Sequence, residues 1–411
     1  MIPFQKPVFF ALICCAVVSC GDKKQLVTPV FETGSDSPAR EAAVNPADVP
    51  LLQPVEIDRM DISKVEGAGG GVLQASNGYL FASAWGDNLV IPFTAEGKFG
   101  QHKVFDPPDL ALARSFLDAS TPPKVWTVGG FGGPGWVGVH RMGPPFQWNE
   151  ARKTKIPQDW RLVGEVYALQ GGESALVSLA TISPEDQDAN FPVPESRWGT
   201  EVFRVYPDGH SDLFVSAKSL GLDEPLYNLG LQMDQSGNDL FISAMEWGNG
   251  CILRMDPSAR LLEKIQGPAG VSAFGSDFAF SQSGERILAS AEAPEGETAA
   301  MQLLLGLVKQ PRDWIRLQAP ATSRAFGLNF GFLPTPDGEV IYVSSMASHS
   351  LQPRFDFYDP QSGKWIARMK PEPDGKLKYG YALQALAPGI YAALMSDYKA
   401  NKVRVISLKC F

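Results

Sequence analysis

Asp239-Leu-Phe-Ile-Ser-Ala-Met-Glu246 sets the pattern from which the fold can be read: an apolar run of strand length that closes in small residues. The pattern returns in Gly78-Tyr-Leu-Phe-Ala-Ser-Ala-Trp85, Arg286-Ile-Leu-Ala-Ser-Ala-Glu292 and Val340-Ile-Tyr-Val-Ser-Ser-Met346. Looser copies are Lys124-Val-Trp-Thr-Val-Gly-Gly130, Ser174-Ala-Leu-Val-Ser-Leu-Ala180 and Gly389-Ile-Tyr-Ala-Ala-Leu-Met395. A turn residue precedes each copy: Gly78, Pro123, Gly172, Gly237, Gly284, Gly338 and Gly389, separated by 45, 49, 65, 47, 54 and 51 residues. A strand-rich unit repeating at that period is the signature of propeller blades.

Working outward, a third strand follows most copies: Leu89–Phe93, Glu201–Tyr206, Cys251–Met255, Arg354–Tyr358 and Val403–Ser407. Turn pairs such as Glu96-Gly97, Asp208-Gly209 and Ser362-Gly363 come next, typical of tight hairpins. No long amphipathic helix interrupts the series. The 65-residue step is accounted for by a polar insertion, Ser183–Trp198. The last unit lacks a fourth strand because the chain stops at Phe411. Val55–Ile62 alternates apolar and polar residues and has no unit of its own, so it is expected to pair with the last blade and leave no open sheet edge. The expected fold is all-β: a seven-bladed β-propeller over residues 51–411, closed by an N-terminal strand.

The start of the chain reads differently. One basic residue, Lys6, precedes an apolar run from Val8 to Val18, too short for a permanent membrane helix but suited to an export signal. The run ends in Val17-Val18-Ser19-Cys20, which resembles the lipobox of bacterial lipoproteins. That resemblance implies residues 1–19 as a signal peptide, lipidation of Cys20 and a membrane anchor in the cell envelope. It implies more than one acyl chain, as stable anchoring requires. Gly21, rather than Asp, follows the cysteine, which points to the outer membrane, on its periplasmic or surface face. Residues 20–50 are rich in Pro, Ala, Ser and Asp without apolar periodicity, the composition of a flexible tether.

Charge excludes some partners. The chain carries −9 at pH 7, and residues 1–19 contribute a basic but no acidic side chain, so the exported part is more acidic still. That argues against nucleic acid and against docking to anionic lipid by charge. Cys251 and Cys410 lie in distant repeats and are read as free thiols.

The strand-loop-strand copies, such as Tyr79–Pro92, resemble repeats of the YVTN and SMP-30-like propeller superfamilies. Tyr358-Asp-Pro-Gln-Ser-Gly-Lys-Trp365 is similar to a single quinoprotein repeat, a signature that a quinone site needs in most blades. Gly133-Pro-Gly-Trp-Val-Gly138 matches GxGxxG but leads into strand-like sequence, so the phosphate-binding helix terminus is missing. His102, His140, His210 and His349 lie in different units without zinc-ligand spacing.

Glu165, Asn228, Asp277 and Asn329 are expected at the starts of innermost strands, around the channel mouth. Asn228 and Asp277 are 49 residues apart, similar to the SMP-30-like lactonases, whose Asn and Asp on successive blades hold a divalent cation with a Glu. There Gly-Leu follows the Asn; here Leu-Gly follows Asn228. The resemblance implies Ca²⁺ or Mg²⁺ held by oxygen ligands and water activated for lactone or ester hydrolysis. The alternative reading is that these side chains hydrogen-bond within a wet channel or cap strand ends. Two functions are therefore expected. One is a lipid-tethered binding or scaffold module for envelope proteins or a small-molecule ligand, favoured by aromatic loops at Phe131–Trp136, Trp148, Trp198 and Trp247. The other is a metal-dependent hydrolase.

Overall fold

The structure, a computed structural model, describes residues 46–63, 72–83, 88–105, 114–118, 120–129, 138–144, 162–168, 174–180, 200–206, 210–221, 227–233, 239–246, 249–268, 271, 274–292, 301–318, 323–347, 353–370, 379–397 and 402–411. The signal, Cys20, the insertion Ser183–Trp198 and the four aromatic loops all lie outside this set. No helix among the described residues is long and apolar enough to cross a membrane.

Two strands come first and join sheets completed at the far end of the chain: β1 (Leu51–Leu52) and β2 (Val55–Ser63). An antiparallel meander follows, of β3 (Val72–Ser76), β4 (Tyr79–Ser83), β5 (Asn88–Pro92) and β6 (Lys103–Phe105). The next sheet is β7 (Arg114–Leu117), β8 (Val125–Gly129) and β9 (Gly138–Met142). Then come β10 (Leu162–Ala168), β11 (Ala175–Ala180), β12 (Thr200–Val205) and β13 (Ser211–Val215). The fourth sheet holds β14 (Tyr227–Met233), β15 (Leu240–Glu246), β16 (Asn249–Met255) and β17 (Leu261–Gln266). The fifth holds β18 (Phe274–Phe280), β19 (Arg286–Glu292), β20 (Met301–Leu307) and β21 (Gln310–Arg316). In the sixth, β22 (Ser323–Thr335), β23 (Gly338–Ala347), β24 (Pro353–Tyr358) and β25 (Trp365–Met369) receive β1 as a fifth strand. In the last, β26 (Tyr379–Ala387), β27 (Ile390–Asp397) and β28 (Lys402–Lys409) receive β2.

The first strand of each sheet touches the first strand of the next, from β3 through β7, β10, β14, β18, β22 and β26, and β26 returns to β3. This is the ring of a β-propeller. Among the described residues six sheets have four strands or more, and the β7–β9 sheet has three. The expectation of a seven-bladed propeller is corrected accordingly: the complete blades among the described residues number six.

The core lies between sheets. Leu80 and Ala82 face the β26–β28 sheet, where they meet Leu394 and Val405, while Phe81 faces the other way, onto Leu117 and Val125. Leu240 and Ile242 pack towards Leu176 and Val202, and Phe241 towards Phe280 and Ile287. Both faces of the second strand are buried, so its sequence is apolar throughout instead of alternating. Each such fully buried side chain contributes roughly 1.5–3 kcal/mol.

Polar contacts join neighbouring sheets as well. The Tyr358 hydroxyl donates to the Gln318 carbonyl at 2.9 Å and that of Tyr391 to Pro334 O at 2.7 Å. The Trp314 indole donates to Gln266 O, and the Gln74 amide oxygen accepts from Leu117 N–H at 2.7 Å.

Closure occurs as the alternation of Val55–Ile62 predicts. β2 pairs antiparallel with β28 from Val55↔Lys409 to Ser63↔Lys402. Arg404 ion-pairs with Asp61, and Asp58 accepts from Phe99 N–H on the first meander. The folded unit also takes in residues that sequence assigns to the tether. Pro46–Asp48 forms a 3-10 turn, and Val49 is buried at the junction of the fifth and sixth sheets.

Candidate functional site

The innermost strands owe their irregularity to local register. Between Val163↔Leu179 and Val166↔Val177, β10 carries more residues than its partner β11, and Glu165 lies in that bulge. Asn228 lies in the corresponding bulge of β14, between Tyr227↔Met245 and Gly230↔Ser243. Asp277 lies in that of β18, between Phe274↔Ala291 and Phe278↔Ala289. In β22 the register shifts between Phe326 and Asn329, and Asn329 pairs with Ser344. Glu165, Asn228 and Asp277 therefore occupy bulged positions, and Asn329 the pair that ends a bulge, on the first strands of four successive, touching sheets. Bulges recur where a strand must re-aim a side chain.

The strand-start expectation is corrected for three of them: Glu165 is the fourth residue of β10, Asp277 the fourth of β18, and Asn329 the seventh of β22. The bulge, rather than the strand end, sets their level. The side chains of Glu165 and Asn228 lie outside the described set. Asp277 is exposed although Phe278, beside it, is buried.

Asn329 is committed within the fold. Its amide oxygen accepts the Tyr342 hydroxyl at 2.6 Å. Burial pushes that phenol well above its ordinary pKa, partly offset by a hydrogen bond with the Leu383 backbone, so it stays a neutral donor. Tyr342 thereby ties the bulge of β22 to β26 of the next sheet. No group of three His, Cys, Asp or Glu placed to hold a metal occurs among the described residues.

The recurring serine of the sequence pattern belongs to the same layer, and sequence reasoning missed its role. Ser178, Ser243, Ser290 and Ser344 are buried on the second strands, opposite or beside the bulges. The Ser290 hydroxyl donates to the Asp277 carbonyl at 3.0 Å, satisfying a backbone acceptor that the bulge takes out of the ladder. The signal was present: a small polar residue at a fixed place in an otherwise apolar run.

Other features resolve as structure. Cys251 and Cys410 are free thiols, as expected, and burial pushes Cys410 up to about 12. His210 stacks on Tyr206 at 4.0 Å between ring centroids. The quinoprotein-like Tyr358–Trp365 stretch forms a hairpin in which Asp359 accepts from the Ser362 hydroxyl and backbone. Gly133–Val137 lies outside the described residues, and Gly138 begins β9.

No family profile matches the chain, and no curated protein matches it in sequence. Solved structures do. Hydrazine synthase from Kuenenia stuttgartiensis aligns over 85% of this chain and 98% of its own, with a TM-score of 0.54 at 13% identity. The β-propeller domain of Cps50 (Swd1) from Myceliophteria thermophila aligns over 84% of this chain and 99% of its own, with a TM-score of 0.51 at 10% identity. At such identities likeness carries fold and nothing further. Together with the ring of sheets, it identifies this chain as a β-propeller.

Proposed function

We propose that this chain is a lipid-anchored envelope protein whose propeller works as a binding or scaffold module. The anchor is the lipidated Cys20, and the membrane is the outer one. The observation that carries the reading is the use of polar groups in the innermost layer. Asn329 and Ser290 serve the ring itself, and Asp277 is exposed on a described bulge. Among the described residues, such an arrangement presents a surface without assembling a nucleophile and its base. Crosslinking in intact envelopes, followed by capture of the full chain, is expected to recover a discrete partner from the envelope. Mass spectrometry of the Cys20 peptide is expected to show acyl chains; a free thiol there removes the anchor.

A second reading rests on the bulged positions of Glu165, Asn228 and Asp277 on three successive first strands. In that reading they hold Ca²⁺ or Mg²⁺, and the metal activates water for lactone or ester hydrolysis. Calorimetric titration with each cation distinguishes the two. Binding lost in Asp277→Ala supports the hydrolase, whereas no binding, or binding unchanged in that variant, supports the module.

A further inference from the structure

We propose that Pro46–Pro54 is a releasable strap, separable from ring closure, that sets the reach of the segment before it. The contacts on either side of Pro54 differ in kind. β2 pairs with β28 along its length, buries Ile62 and adds the Asp61–Arg404 ion pair. The strap has two parallel pairs, Leu51↔Arg368 and Leu52↔Met369, and a hydrogen bond from Arg368 N–H to Pro50 O at 2.9 Å. Val49 is its buried plug, lodged among Leu303, Leu305, Leu317 and Tyr358 at the junction of the fifth and sixth sheets. Leu51 remains 43% exposed, and Gln53 is exposed too.

Ordering a residue's backbone costs about as much as a hydrogen bond returns, or more. One buried valine, the partly buried Leu52 against Met369 and its neighbours, and a short ladder therefore leave strap closure near balance, while β2 stays locked. Release frees about nine residues, and at 3.3–3.6 Å each the link lengthens by roughly 30 Å. The consequence for membrane reach rests on the lipid-anchor reading above; the release itself does not.

The Arg368 amide points at the strap, and the amides of Val405 and Ile406 lie in β28, which is paired on both sides. Hydrogen exchange on the full chain in detergent therefore reads the two events separately. Arg368 is expected to exchange at least ten-fold faster than Val405 and Ile406. Val49→Asp is expected to raise the Arg368 rate ten-fold or more, with the β28 rates and the melting temperature unchanged. Equal rates in the native protein, or a rise of all three together in the variant, would mean that the strap melts only with the ring, and the proposal falls. Val49→Ala gives the same comparison should the aspartate prevent folding. An unmodified Cys20 in the same preparation overturns the membrane consequence and leaves the exchange result standing.

Discussion

Ser290 and Ser407 are both fully buried, yet their hydroxyls meet different surroundings. Ser290 donates to the carbonyl of Asp277, whereas the Ser407 hydroxyl has no hydrogen-bond partner. Gly97 closes over it: a methyl group at Gly97 would come 2.5 Å from the Ser407 oxygen, and its φ of +82° suits glycine. Ser290→Ala is expected to cost about 1–2 kcal/mol, because the lost bond leaves a bulge carbonyl unsatisfied. Ser407→Ala is expected to be neutral or slightly stabilising, since nothing is lost but a buried unpaired hydroxyl. Urea denaturation of both variants checks the pair; a larger loss at Ser407 would refute this account. Asp118 gives a stronger case. It is 1% exposed, and its carboxylate accepts from Ser120 N–H, the Ser120 hydroxyl, Lys124 N–H and the Trp126 indole. Asp118→Ala strands those donors and is expected to lower stability by about 3 kcal/mol.

Elements show which parts of the ring are interchangeable and which are not. The second strands were legible because each is a short apolar run after a turn, and Gly78, Gly284, Gly338 and Gly389 do adopt positive φ there. β2 was legible from its alternation. β1 was not, since two leucines beside prolines carry no period, and only the vacant edge of β25 makes a strand of them. Deleting residues 51–63 is expected to abolish cooperative unfolding, because β28 then exposes an unpaired edge. A chain beginning at Gln53 is expected to melt within about 2 °C of the full chain. Thermal scans followed by circular dichroism separate the two, and a folded 51–63 deletion would show that closure does not depend on β2.

At the scale of the whole molecule, acid lability should follow the turns. The hydroxyl of Ser258, with backbone donors from Arg260 and Ser258, lowers Asp256 to about 2. The Thr94 side chain lowers Glu96. Burial pushes Asp359 up, but the Ser362 hydroxyl and the backbone of its turn outweigh it, with a net lowering. Each carboxyl is more acidic folded than unfolded, so its contribution is complete above the usual carboxylate value, ~3.9. It is lost as pH falls towards about 2. Unfolding midpoints are therefore expected to hold from pH 7 to about 5 and decline from about 4 to 2. A flat profile across that lower window would show that the turn carboxylates add nothing.

By itself, the sequence determined the repeating strand, its turn residues and the closing role of Val55–Ile62. All of these are local: period, turn chemistry and spacing are written in neighbouring residues. Tertiary structure alone decided where the polar groups stand. Glu165, Asn228 and Asp277 stand in bulges, and Asn329 directly after one, because register shifts against the second strands put them there. Asn329 meets Tyr342 because the register of the β22–β23 hairpin sets them diagonally across from each other, and Val49 becomes core because residues distant in sequence are brought to one junction. Register and burial depend on what packs opposite, and no window of the chain carries that information.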